Sequence, residues 1–168
     1  PPPYDWWDLG RDVLAVVAAC GLDHPAGLGH SSGAAALVMA ELLRPGTFSC
    51  LALVEPIIFS FPPSRVEDFS MTQAALRRRR SFSSPEAAAE ALRGRGAFAG
   101  WDEGVLVRYA AHALRREGEA WVLKCAPETE AEFYRGAAAH GAWARLPEVG
   151  CPVLLVAGAA SDSHPAGF

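Results

Sequence analysis

From Asp5 onward, apolar residues recur at three- and four-residue spacing: Trp6, Leu9, Val13, Val16, Val17 and Cys20, up to Gly21. That period puts them on one stripe of an α-helix, so the pattern predicts an amphipathic helix ending at the glycine. Asp23-His24-Pro25 predicts a turn and Ala26 to Gly29 a short strand. Ser32 to Leu43 predicts a helix that Pro45-Gly46 stops. Ser49 to Val54 reads as the clearest buried strand. Helix, strand, helix, strand in that order predicts parallel pairing through crossover helices, since parallel neighbours cannot be joined by a tight hairpin.

The pattern changes at about Phe61. From there to about Pro147 the chain is charged and rich in alanine. Ser84-Pro85-Glu86 is a helix start, with serine as cap and proline in the first turn. Val105, Leu106, Tyr109, Ala113 and Leu114 mark a further amphipathic helix closed by Gly118, and Pro127 to Gly136 another. Pro152 to Ala157 returns to an apolar run read as a buried strand, and Gly158 to Pro165 as its polar exit loop. The fold class expected is α/β, a parallel sheet with flanking helices, interrupted by a helical insertion. The boundaries expected are residues 1–60 with 148–168 for the core and 61–147 for the insertion.

Composition narrows the function classes. With 168 residues, 51% of them hydrophobic, the chain can build one sizeable core, so one globular domain is expected. A net charge of -4 argues against nucleic acid as a partner, because phosphate neutralisation dominates such binding. Cys20, Cys50, Cys125 and Cys151 form no C-x-x-C pair and have no histidine at ligand spacing. Neither a zinc site nor a disulfide framework is indicated, and reduced, mostly buried thiols are expected. Apolar runs such as Val13 to Cys20 are much shorter than the roughly 20 residues of a membrane span. The chain opens on Pro1, so any targeting peptide lies outside it, a piece of something longer is expected, and the cytoplasm is only the default compartment.

The chemistry centres on Gly29-His30-Ser31-Ser32-Gly33, which spells G-x-S-x-G between a strand and a helix. In a nucleophile elbow the serine occupies a strained strand-to-helix turn, and small flanking residues let the backbone bend. Ser31 is therefore the candidate nucleophile. The backbone N–H of Ser32, at the positive end of the following helix, is the candidate oxyanion donor. A rival reading takes Gly27-x-Gly29-x-x-x-Gly33 as a dinucleotide-binding turn, with Glu55 as the ribose-binding acid of an oxidoreductase fragment. The short strand broken by His24-Pro25, and the helix before it, weigh against that rival.

With G-H-S-S-G, the strand ending L-V-E-P, the helical insertion and C-P-V-L-L-V-A-G leading into S-D-S-H-P, the chain resembles the α/β-hydrolase superfamily, in its capped serine-hydrolase branch. The resemblance implies a partial α/β-hydrolase core with a helical cap, and an acid on a loop after one of the two strands following the elbow. Those loops carry Glu55 and Asp162; Asp162 is favoured, and Glu55 remains the alternative. It also implies a histidine after a last strand, which has no counterpart here, as do the strands that normally precede the elbow. His164 lies too close to Asp162 to serve easily as its partner. His30 is read as a packing or pocket-wall residue, and His112 and His140 as solvated or partly packed. The run Arg77 to Arg80 is read as solvated on a cap helix. Trp101, Tyr109, Trp121, Phe133, Tyr134 and Trp143 are read first as core.

The resulting expectation is a serine hydrolase scaffold acting on an ester, thioester or similar small apolar carbonyl compound through an acyl-enzyme at Ser31, incomplete and inactive as this isolated chain. No metal or organic cofactor is implied. The serine weighs against epoxide or carbon–halogen substrates, for which relatives use an aspartate at the elbow. A partner or missing segments are expected to cover the exposed edge of the elbow strand. The alternative from another class is a non-catalytic, truncated hydrolase-like binding protein.

Overall fold

The computed structural model describes residues 4–59 and 70–161. In chain order the elements are α1 (Trp7–Ala19), β1 (Ala26–His30), α2 (Ser32–Leu43), β2 (Cys50–Val54), α3 (Ser70–Leu76), β3 (Ser81–Phe82) and α4 (Pro85–Leu92). There follow α5 (Glu103–Ala113), β4 (Leu114–Glu117), β5 (Ala120–Leu123), α6 (Pro127–Ala139) and β6 (Val153–Val156). Turns of 3-10 helix occupy Gly96–Phe98 and Ala142–Glu148. The chain divides into two compact units, one drawn from residues 1–69 and 132–168, the other from 70–131.

The first unit is an α/β layer. Its sheet is parallel in the order β1-β2-β6, with His30 opposite Val54 and Val54 opposite Val156. All three strands therefore end at one edge. Helix α2 makes the crossover between β1 and β2 and is buried along most of its length, from Ala34 to Leu42. It packs closely on α1, where a Cβ at Gly10 would stand 2.8 Å from the Cβ of Met39. Buried Glu41 organises the exit from α2: its Oε1 accepts the N–H of Gly46 at 2.7 Å and its Oε2 that of Phe48 at 3.1 Å. Trp6 fills the core and donates its indole N–H to the carbonyl of Phe133 at 2.8 Å.

The second unit contains α3, α4 and α5 together with an antiparallel sheet in the order β3-β5-β4. Ser84 caps α4, its Oγ accepting the N–H of Ala87 at 3.1 Å, and Asp102 caps α5 through Gly104 and Val105. The helix expected to run to Gly118 instead ends at Ala113, and residues 114–123 form a hairpin. Gly118, with φ 60°, is the first residue of its two-residue loop, where positive φ suits glycine.

Three further expectations are corrected. Strand β6 is exposed along its length on both faces, with Leu154 at 62% and Leu155 at 46%, because the described residues leave it uncovered. The cysteines are free, but Cys20, Cys50 and Cys125 are exposed and Cys151 is half-buried. The arginine run follows α3 instead of lying on it; Arg77, Arg79 and Arg80 are exposed, in keeping with a solvated run, while half-buried Arg78 pairs with Glu130 and the Tyr109 hydroxyl. Of the aromatics assigned to the insertion, Phe133 and Trp143 pack in the core of the first unit. Among the described residues no helix is long and apolar enough to cross a membrane, and no group of three metal-ligating side chains occurs.

Candidate active site

Ser31 stands between the end of β1 and the start of α2 with φ 56° and ψ -123°. A non-glycine residue in the left-handed half of φ space costs on the order of 1–3 kcal/mol, so the surroundings must hold it there. Its N–H donates to the carbonyl of Val54 at 2.9 Å. Its own carbonyl accepts from Ala34 at 3.1 Å, Ala35 at 3.2 Å and Ile57 at 3.3 Å. The hydroxyl takes no part in capping α2, although serine at this position commonly does so. The N–H of Ser32, first in the helix, has no intrahelical acceptor and points into the same positive helix end.

The two flanking glycines differ. A Cβ on Gly29 would lie 2.7 Å from the Cα and N of Ala34, so strand and helix meet too closely for any side chain. At Gly33 a Cβ would meet nothing within 4 Å, which corrects the expectation that both are required. The dinucleotide reading finds no support here, since the glycine it needs for close helix packing faces open space. Its ribose-binding acid is also engaged elsewhere. Glu55, just past β2, accepts the N–H of Gly158 on Oε1 at 2.7 Å and the hydroxyl of Ser161 on Oε2 at 2.8 Å.

Ser31, Glu55 and the start of the loop after β6 therefore share the carboxyl edge of the sheet, where ligand sites of parallel sheets gather. Asp162 and His164 lie outside the described residues. His30 and His112 are exposed. His140 is tied at both ring nitrogens: the N–H of Ala142 donates to Nδ1 at 3.0 Å, so Nε2 carries the proton and donates to the carbonyl of Ile57 at 3.0 Å. Burial pushes its pKa below the usual histidine value, against the opposing pull of the Ile57 bond. It is a packed, neutral histidine stacked on Trp6. Sequence reasoning missed the engagement of Glu55, because partners 103 and 106 residues away leave no local signal.

The strand, the sharp turn at Ser31 and the helix on a parallel sheet give the chain part of the α/β fold that hydrolases of known structure share. Solved structures agree. The chain is similar to the peroxisomal α/β-hydrolase Lpx1 of Saccharomyces cerevisiae, with a TM-score of 0.75 and 20% identity over 97% of this chain and 48% of that one. It is similar to a thioesterase domain from the curacin biosynthetic pathway, with a TM-score of 0.72 and 20% identity over 97% of this chain and 60% of that domain. An esterase from Mycobacterium tuberculosis matches with a TM-score of 0.63 and 21% identity, over 95% and 52% of the two chains. The chain thus spans about half the length of the first of these. No family model and no curated protein matches the sequence.

Proposed function

We propose that the chain carries the nucleophile of a serine hydrolase acting on an ester, thioester or similar carbonyl compound, with residues 70–131 serving as part of its cap. The observation that carries this reading is Ser31 itself, held at φ 56° with its hydroxyl released from helix capping. Ser31 Oγ attacks the carbonyl carbon while its proton passes to an imidazole, and the N–H of Ser32 receives the charge that develops on the carbonyl oxygen. The protonated imidazole then gives its proton to the departing alcohol or thiol. Water, activated by the same imidazole, releases the acid from the acyl-serine. Asp162 orients that imidazole, which is none of the described histidines. No cofactor enters the reaction.

The test is hydrolysis of p-nitrophenyl acetate by the natural gene product and its Ser31→Ala variant, with a loss on the order of a millionfold in kcat expected. A second reading, a non-catalytic hydrolase-like binding protein, rests on His140 being tied at both nitrogens. It would be favoured if hydrolysis showed no dependence on Ser31.

A further inference from the structure

The segment that leaves β2 holds Ser31 from both sides. The carbonyl of Val54 accepts the Ser31 N–H at 2.9 Å, and the N–H of Ile57 donates to the Ser31 carbonyl at 3.3 Å. That second bond bears on the chemistry, because the Ser31 carbonyl and the Ser32 N–H belong to one peptide unit. The unit is planar and trans, so its two polar groups point in opposite directions, and fixing one fixes the aim of the other. The Ser32 N–H is the donor assigned to the oxyanion.

Ile57 is itself held in place. The N–H of Ile58 donates to the carbonyl of Pro56 at 2.9 Å, a tight turn with Ile57 at its centre, and Pro56 and Ile58 are buried on either side of it. The Ile57 carbonyl accepts Nε2–H of His140 at 3.0 Å, across 83 residues of sequence. His140 has little freedom. Its Nδ1 accepts the N–H of Ala142 at 3.0 Å, its carbonyl accepts the indole N–H of Trp7 at 2.9 Å, and its ring stacks on Trp6 with centroids 5.5 Å apart. Gly141, at φ 68°, lets the chain turn back sharply enough for Ala142 to reach the ring. An aromatic ring that only filled this space would need neither nitrogen.

We propose that His140 is a positioning residue that, through Ile57, fixes the Ser31–Ser32 peptide and so aims the Ser32 N–H at the oxyanion. It rests on the reading of Ser31 and Ser32 given above. It differs from a packing role in depending on one donor, Nε2–H. Asparagine at position 140 still accepts from Ala142 but is too short to donate to Ile57, whereas glutamine carries an amide N–H towards Ile57 and a carbonyl oxygen for Ala142.

The experiment measures kcat and KM for p-nitrophenyl acetate hydrolysis by the protein and its His140→Ala, His140→Asn, His140→Gln and Ser31→Ala variants, together with amide hydrogen exchange at Ile57. His140→Ala and His140→Asn are expected to lower kcat by about 10- to 100-fold, short of the roughly 100- to 1,000-fold of losing an oxyanion donor outright. KM should not change, since the donor acts on charge that only the transition state carries. The Ile57 amide should lose protection in both. His140→Gln should restore kcat and protection to within a few-fold of the parent, and His140→Asn serves if His140→Ala does not fold. Full activity in His140→Asn would overturn the proposal and leave Ser31 in place. So would a glutamine variant as impaired as the asparagine one, a rise in KM without loss of kcat, or a loss of kcat with Ile57 still protected. Hydrolysis indifferent to Ser31→Ala would remove the hydrolase reading first, and this one with it.

Discussion

Steric demand at the elbow falls unequally on its residues, and stability measurements can show it. A Cβ at Gly29 would press on the Ala34 backbone at 2.7 Å, so Gly29→Ala is expected to destabilise by about 1–3 kcal/mol, in the range of overpacked cores. Gly33 sits inside α2 with open space around it, so Gly33→Ala is expected to be neutral or to gain up to about 1 kcal/mol of helix propensity. Urea unfolding of the two variants checks the contrast, and equal losses would contradict it. Strain at Ser31 is tested in the same way. Ser31→Gly, which relieves a positive φ, is expected to be more stable than Ser31→Ala, by roughly 1 kcal/mol.

At the scale of elements, His140 joins the end of α6 to the segment after β2 through the bond from Nε2–H to Ile57, while Nδ1, which accepts the N–H of Ala142, needs a neutral ring. Its pKa in the folded chain is lowered from 6.5, so the unfolded chain binds more protons as pH falls through that value. This contribution is present above about pH 6.5 and declines below it. Urea midpoints at pH 5 and pH 8 should therefore differ more for the parent than for His140→Gln; equal pH dependence in the two would contradict the assignment. The helices α1 and α2 and the strand β2 were legible in the sequence, because their apolar spacing is local and their stops are glycine and proline. The hairpin at 114–123 was not legible. Gly118 ends a helix and turns a hairpin with the same chemistry, and only the pairing of Arg116 with Trp121 decides between them. The exposure of β6 was likewise hidden, since an apolar run specifies a strand but not what lies on its faces. Of the candidate site, the position of Ser31 at a strand-to-helix turn was legible in five residues, whereas the bonds of Glu55 depend on a fold that brings β6 beside β2.

For the whole chain, the dominant feature is one face of the parallel sheet. Leu28 is 77% exposed and Leu154 62%, and with Ala26 and Ala52 they line a concavity of about 420 Å³. Parallel sheets are ordinarily covered on both faces, and an open apolar face and edge favour association. Residues 1–168 alone are expected to bind a hydrophobic dye and to associate with rising concentration. The double variant Leu28→Lys, Leu154→Lys should reduce both without lowering the unfolding midpoint, and unchanged association would contradict this account of the face. The central claim concerns chemistry at a single atom, and mass spectrometry addresses it most directly. After reaction of the natural gene product with a fluorophosphonate, the predicted result is one phosphonyl adduct on the peptide bearing Ser31, at Ser31 itself, and none in Ser31→Ala. An adduct on another residue, or labelling that persists in Ser31→Ala, would contradict it.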